Sequence, residues 1–194
     1  GYGVADRVTG DPIVPCSRFR IASVTKPLTS ATHLTLVEQG RLHLADHVFG
    51  DGAVLGLAYG SPPYAPALTR ITVAHLLEHT GGGWTNDDQD PMFREPDLSV
   101  DDLITWTLNN RPLDHEPGTH YEYANLGFGL LGHALATRAG KPYAALVAER
   151  ICAPLGMGDT RIAPTPSMTA RRVRFEAAGG VDALRRRGYA GRRR

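Results

Sequence analysis

One stretch, residues 19–30, constrains the fold of this chain more than any other. It begins as an extended apolar segment and continues as a helix, because apolar residues recur at three- and four-residue steps after Ser23. Pro27 suits the first turn of that helix, and Gly40 is placed to end it. The predicted buried stripe of the helix consists of Val24, Leu28, Ala31, Leu34 and Val37.

The same stretch contains a Ser-x-x-Lys pattern formed by Ser23 and Lys26. In the first turn of a helix these two side chains would lie on one face, near the positive end of the helix dipole. A serine hydroxyl becomes a useful nucleophile when a neighbour takes its proton, and a buried lysine can be that neighbour. The alternative for Ser23 is an ordinary N-cap.

The composition is that of one globular domain or two small ones, with 42% hydrophobic residues among 194. No run is long enough for a membrane span, and the chain does not open with a basic-then-apolar signal segment. Cys16 and Cys152 lie far apart without metal-ligand spacing, and we expect free thiols rather than a disulfide bridge.

Charge is concentrated near the C-terminus, where residues 171–194 contain nine arginines against Glu176 and Asp182. A basic arm of this kind can bind nucleic acid. This one lacks lysines, aromatic platforms and any nucleic-acid-binding motif. We therefore expect a disordered or aberrant tail over residues 166–194 and no nucleic-acid partner.

The rest of the chain predicts a short hairpin followed by a mainly helical region. Residues 1–20 read as two strands joined by a Gly-Asp-Pro turn. Residues 71–157 predict four helices, which span residues 73–78 with Thr72 as cap, 99–110, 125–139 ended by Gly140, and 142–152.

A competing motif lies in the first of these helices. His75, Glu78 and His79 match the H-x-x-E-H pattern of zinc proteases, with both histidines on one helical face. Such a site needs a third protein ligand, for which Glu116 or Glu122 could serve. On spacing alone, a zinc site is the weaker of the two catalytic hypotheses.

A second polar pair precedes the helix at residue 125. Tyr123 and Asn125 are two residues apart, so in extended backbone their side chains project the same way. A phenol could receive a proton there while a carboxamide holds a substrate amide. The alternative is a buried tyrosine followed by an asparagine N-cap.

Taken together, these segments resemble the serine β-lactamase-related superfamily, in the branch of class C β-lactamases, D,D-carboxypeptidases and related esterases. The matching segments are residues 19–26 with the Ser-x-x-Lys pattern, residues 71–82 with His-Thr-Gly-Gly, residues 117–132 with Tyr-x-Asn, and residues 154–160. The resemblance covers residues 1–165 in family order. It implies an α+β, β-lactamase/transpeptidase-like fold with a mainly helical subdomain and an incomplete antiparallel-sheet subdomain.

The resemblance also implies roles for individual residues. Ser23 would attack a carbonyl and form an acyl-enzyme, with Lys26 and Tyr123 sharing the proton transfer and Asn125 binding substrate. The Ser23 backbone N–H would supply one oxyanion donor. No cofactor and no metal are implied, because the family has the histidine-containing helix without zinc. The implied partner is a small-molecule or peptide substrate: a β-lactam, a D-Ala peptide or an ester.

One element of the family pattern has no counterpart. Members carry Lys or His, then Thr or Ser, then Gly on a sheet strand after the Tyr-x-Asn motif. Residues 79–81 spell these letters before Tyr123 and after a helix, so they cannot form that strand. The sequence therefore leaves an alternative open, in which the chain is a truncated, catalytically impaired fragment that keeps a binding cleft. Family members are often periplasmic or secreted.

Overall fold

The computed structural model describes residues 2–162, and the predicted boundary at residue 165 and the tail over 166–194 lie outside them. The described residues divide into two compact units. One unit contains residues 2–24 with Arg161 and Ile162, and the other contains Thr25–Thr160.

The first unit contains the predicted hairpin. Strands β1 (Val4–Asp6) and β2 (Asp11–Pro12) pair antiparallel, with an irregularity in register between Val4 and Asp6. The turn is closed by the Gly10 N–H, which donates to the Asp6 carbonyl at 2.9 Å, and Gly10 has φ +75°. Glycine adopts this backbone conformation without strain. The pairing of two strands is therefore confirmed, whereas the predicted turn is misplaced, because Asp11 and Pro12 form β2 and the turn covers residues 7–10. The unit continues to a 3-10 turn at Ala22–Val24.

Helices make up most of the second unit. Their bounds are α1 Thr25–Glu38, α2 Pro66–Thr69, α3 Val73–Leu77, α4 Pro91–Arg94, α5 Val100–Asn110, α6 Asn125–Ala139 and α7 Tyr143–Val147, which runs on into a π-helical turn at Ala148–Cys152. Helix α6 lies at the centre and packs against α1, α3, α4 and α7. The four predicted helices of residues 71–157 are confirmed, whereas the short α2 and α4 were not predicted.

Apolar side chains from several segments meet in one core around α6. Fully buried members include Leu36, Leu42, Val48, Phe49, Ile71, Val73, Leu130, Leu131, Ala134 and Leu135. The loop after α1 supplies several of them, and backbone hydrogen bonds such as that from the Val48 N–H to the Ile71 carbonyl at 2.9 Å also hold this irregular segment. Both cysteines are free thiols, as predicted; Cys16 is exposed and Cys152 is buried. None of the helices in residues 2–162 is both long and apolar enough to cross a membrane.

Helix α1 ends as predicted. The Gly40 N–H donates to the Val37 carbonyl at 2.9 Å, and the Arg41 N–H donates to the Leu36 carbonyl at 3.0 Å. Together with φ +63° at Gly40, these bonds form a Schellman motif. The motif satisfies two carbonyls that the end of the helix would otherwise leave open.

The buried face of α1 differs from the predicted one. Val24 lies before the helix and is exposed, and Leu34 is 48% exposed. The buried residues are instead Thr29, Thr32, His33 and Leu36. Val37 packs against the core as predicted, but the prediction was wrong for Val24 and Leu34 because it assumed that the buried face would be apolar.

The buried threonines of α1 form hydrogen bonds with other protein groups. Thr29 Oγ1 donates to the Thr25 carbonyl at 3.2 Å, and Thr32 Oγ1 donates to the Leu28 carbonyl at 2.7 Å. The Thr29 hydroxyl also lies 2.6 Å from the Tyr143 hydroxyl of α7. A buried hydroxyl with a partner costs little, so packing against α6 and α7 decides which face is buried.

The loop after α3 is held against the segment before α6 by backbone hydrogen bonds. The Gly82 carbonyl accepts from the N–H groups of Asp114 and His115 at 2.8 and 2.9 Å. The Gly118 N–H donates to the Thr80 carbonyl at 2.8 Å, and the Glu122 N–H donates to the His79 carbonyl at 2.7 Å. These bonds place residues 79–86 beside residues 114–123.

His33 predicts a pH-dependent stability. Its side chain is fully buried, its Nδ1–H donates to the Thr29 carbonyl at 3.1 Å, and its Nε2 has no partner among the described residues. Burial lowers the pKa of His33 from 6.5 to about 4. The unfolded chain therefore binds a proton at a higher pH than the folded chain does, and stability present above pH 6.5 is lost as the pH falls toward 4.

The measurement is the free energy of unfolding by urea at pH values from 7 to 4. We expect the wild type to lose up to about 3 kcal/mol more than His33→Gln over this range. His43→Gln, at an exposed histidine, should follow the wild type. Parallel curves for the wild type and His33→Gln would contradict the prediction.

Gly82→Ala should destabilise the second unit by more than about 2 kcal/mol. Gly82 has φ +95°, and an added Cβ would lie 2.3 Å from the His115 carbonyl oxygen. Gly129→Ala is the matched control, because it lies within α6 with no atom within 4 Å of the added Cβ. There the change should be neutral or stabilising by up to about 1 kcal/mol. Equal effects in thermal unfolding would refute this account of Gly82.

Candidate active site

Lys26 is the second residue of α1, and its side chain reaches the start of α6. Its Nζ donates a hydrogen bond to Asn125 Oδ1 at 2.8 Å. The same Nζ lies 4.6 Å from the ring centroid of Tyr123 and 5.5 Å from that of Phe128. A cation at these distances from aromatic rings is attracted by their negative faces. Three predicted site residues, Lys26, Tyr123 and Asn125, are therefore brought together.

Asn125 is the first residue of α6, after Ala124 in extended conformation (φ −121°, ψ 122°). Its Nδ2 donates to Asn86 Oδ1 at 2.7 Å and to Asp90 Oδ2 at 3.0 Å. An ammonium only donates and a carboxylate only accepts, so Oδ1 must face Lys26 and Nδ2 must face Asp90. Both N–H donors thus bind protein groups, and the predicted contact of Asn125 with substrate stays a prediction.

Asp90, which accepts this hydrogen bond from Asn125, is fully buried. Its Oδ1 accepts from the Met92 N–H at 2.9 Å, so it is also the N-cap of α4. Burial raises the pKa of Asp90, while hydrogen bonds from Asn125 and Met92 and the charge of Lys26 act in the opposite direction. This acid is the counter-charge to the lysine within the cluster.

His79 forms an aromatic wall with Tyr123 and Phe128. Its ring centroid is 4.5 Å from that of Tyr123 and 5.0 Å from that of Phe128. The Ala124 N–H donates to His79 Nδ1 at 3.2 Å, which leaves the proton of the neutral ring on Nε2. Burial first, and the positive charge of Lys26 second, lower the pKa of His79.

The two histidines of the zinc-protease pattern, His75 and His79, do not lie on one helical face. Helix α3 ends at Leu77, and His79 follows it in the left-handed region with φ +58°. His75 Nδ1 accepts from the Thr72 N–H at 3.3 Å and completes a capping box. Glu116 pairs with Arg70, and Glu122 Oε1 lies 3.7 Å from His115 Nε2. No group of three or more potential metal ligands gathers within residues 2–162.

Ser23 lies in the 3-10 turn Ala22–Val24, directly before α1 in the chain. The α-helix begins at Thr25, so Ser23 precedes it rather than occupying its first turn. Ala22 has φ +43°, a left-handed conformation that is costly for alanine. Ser23 belongs to the first unit and Lys26 to the second, and the pairing of their side chains stays a prediction from the sequence.

A sequence profile described as Beta-lactamase matches residues 1–193. The chain belongs to the beta-lactamase family. Among its relatives, the D-alanyl-D-alanine-carboxypeptidase/endopeptidase AmpH of Escherichia coli K12 is 36% identical over an alignment of 159 residues, and the match covers 80% of this chain and 39% of that protein. Esterase EstB of Burkholderia gladioli is 32% identical over an alignment of 176 residues, and the match covers 81% of this chain and 41% of that protein.

A solved structure shares the fold of this family member. The D-alanine carboxypeptidase AmpC of Burkholderia cenocepacia superposes with a TM-score of 0.71 at 29% identity, over 92% of this chain and 45% of that one. The predicted β-lactamase/transpeptidase-like fold is therefore confirmed, with helices and a two-stranded antiparallel sheet in the described residues. The chain spans about two fifths of the length of the curated relatives that it matches.

Sequence reasoning missed Asp90, Asn86 and Phe128, and it placed His79 in the wrong environment. A signal for Asp90 was present, because Asp90 followed by Pro91 is the usual start of a helix, with an N-cap and proline at the first position. Nothing local marks Asn86, whose N–H donates to the Tyr123 carbonyl at 2.8 Å. Its role depends on contacts with a distant segment.

Lys26→Met should raise the pKa of His79, because it removes the nearby positive charge while keeping an apolar stem. The pKa should stay below its ordinary value, since burial also lowers it. The measurement is an NMR titration of the His79 ring. Lys141→Met is the control, because Lys141 pairs with Glu149 instead. An unchanged His79 midpoint in Lys26→Met would mean that burial alone lowers this pKa.

Proposed function

We propose that this chain provides the nucleophile and proton-transfer groups of a serine hydrolase, with Ser23 forming an acyl-enzyme. The observation that carries the proposal is the meeting of two motifs in one cluster. Lys26 Nζ, from the Ser-x-x-Lys motif, donates to Asn125 Oδ1 at 2.8 Å and lies 4.6 Å from the ring of Tyr123. Both partners belong to the Tyr-x-Asn motif.

The proposed reaction begins with attack of Ser23 Oγ on a substrate carbonyl carbon. The hydroxyl proton passes to Lys26 or Tyr123 and then to the leaving amine or alcohol as its bond to the carbonyl carbon breaks. Water then hydrolyses the resulting ester by the reverse proton path, which frees Ser23. The Ser23 N–H would stabilise the oxyanion as one donor, the role implied by the family resemblance.

Chain connectivity supports the pairing of Ser23 with Lys26. Two residues separate them, so their Cα atoms lie within about 11 Å in any conformation. The aromatic wall of His79, Tyr123 and Phe128 covers one side of the Lys26 ammonium. Partial exclusion of water there would strengthen the interactions that direct the proton.

The proposed substrates contain an activated or peptide-like carbonyl: a β-lactam, a D-Ala peptide or an ester. Support comes from the relatives, two of which are named as a carboxypeptidase and an esterase. All three substrate classes react through acyl transfer, so one nucleophile could serve each of them. In the alternative in which the chain is a truncated, catalytically impaired fragment, the cluster of Lys26, Tyr123 and Asn125 would bind such a molecule without turnover.

The test is covalent labelling of Ser23. The full chain is incubated with a β-lactam, with a short-chain ester and with a fluorophosphonate, and intact mass is measured. We expect an adduct on Ser23 that disappears in Ser23→Ala and forms at least about a hundredfold more slowly in Lys26→Ala. Ser61→Ala, at an exposed serine, is the control and should label like the wild type.

Two outcomes count against the proposal. An adduct that persists in Ser23→Ala would assign the nucleophile to another residue. Saturable β-lactam binding without any adduct, in a folded chain, would favour the non-catalytic binding fragment.

A further inference from the structure

We propose that Asp90 is a positioning residue for Lys26 and acts through the side chain of Asn125. The inference rests on the proposed function, in which Lys26 carries a proton. It adds a residue that lies outside both recognised motifs. Asp90 does not touch substrate in this scheme, and its effect reaches the reaction only through the lysine.

Three groups form a continuous chain of hydrogen bonds. Asp90 Oδ2 accepts from Asn125 Nδ2 at 3.0 Å, and Asn125 Oδ1 accepts from Lys26 Nζ at 2.8 Å. A carboxamide held between a carboxylate and an ammonium has one satisfactory orientation. The reversed amide would set Nδ2 against the ammonium and Oδ1 against the carboxylate. Asp90 therefore selects the face of Asn125 that receives Lys26.

The position of Asp90 is itself rigid. The side chain is fully buried, and its other oxygen is occupied by the Met92 N–H. The loop that precedes it is tied to the end of α5, since Arg111 Nη1 donates to the Gln89 carbonyl at 3.0 Å. Trp84 Nε1 donates to the Arg111 carbonyl at 3.1 Å. A buried, doubly bonded carboxylate can fix its partner more closely than a solvated one.

Charge strengthens the coupling. Burial, and to a smaller extent the charge of Asp87, raises the pKa of Asp90, whereas the hydrogen bonds from Asn125 and Met92 and the charge of Lys26 act to lower it. Because opposite charges attract, the Asp90 carboxylate also holds the Lys26 ammonium against the side chain of Asn125. Titratable groups that also act on or contact the lysine include His79, from the loop after α3, and Tyr123, from the segment before α6. The negative charges named in this cluster are those of Asp90 and Asp87.

The test uses the fact that the sequence contains two lysines, Lys26 and Lys141. In the full chain with ¹⁵Nζ-labelled lysine, NMR resolves one ammonium resonance for each. In Asp90→Asn, which keeps an acceptor but no longer selects one orientation of Asn125, we expect the Lys26 ammonium protons to exchange with water at least about tenfold faster than in the wild type. Lys141 serves as the internal reference, and its exchange should not change.

The matched control is Asp88→Asn, which removes the same charge from an exposed position in the same loop. It should leave the exchange of the Lys26 ammonium protons as it is in the wild type. Equal Lys26 exchange rates in the wild type and Asp90→Asn would overturn the proposal. An equal acceleration in Asp88→Asn would also overturn it, because the effect would then be general to the loop.

A second measurement needs no variant and covers the case in which Asp90→Asn does not fold. In the wild type, both Asn125 Nδ2 protons should exchange slowly with water, because each is donated to a protein acceptor. Fast exchange of both protons would overturn the proposal. Failure of Ser23 labelling would instead refute the proposed hydrolase function, and these NMR results would remain interpretable without it.

Discussion

The hydrogen bond between Lys26 and Asn125 joins the first turn of α1 to the first residue of α6. A partly buried ammonium is costly unless it is paired, and the carboxamide, the Tyr123 ring and the Asp90 charge together offset that cost. The two helices that carry the candidate catalytic groups are therefore linked by the groups themselves. Structure and proposed chemistry depend on the same contact.

The surrounding backbone holds the groups of this contact in place. Residues 79–86 and 114–123 are joined by backbone hydrogen bonds, two of which end on the Gly82 carbonyl. Gly82 has φ +95°, and an added Cβ there would meet the His115 carbonyl oxygen. This pairing brings His79 against Tyr123, and Asn86 against Asn125. A loop without regular secondary structure thus supplies one ring of the aromatic wall, His79, and one side of the polar network.

Local patterns predicted the helices well and the buried face of α1 badly. Caps at Thr72 and Ser99, and glycines at the ends of α1 and α6, act over a few residues, so their effect can be read from spacing. Which face of α1 is buried depends on α6 and α7, which lie about a hundred residues away in sequence. Polar residues such as Thr29 and His33 can occupy that face because hydrogen bonds to backbone carbonyls satisfy them.

By itself, the sequence determined the longer helices and their caps, the pairing of two N-terminal strands, and the motifs that contain Lys26, Tyr123 and Asn125, because each depends on neighbouring residues. Tertiary structure decided the partners of those side chains. Asp90 became the counter-charge and His79 part of an aromatic wall only once distant segments had packed together. Burial and charge interactions act through space, and no spacing along the chain specifies them.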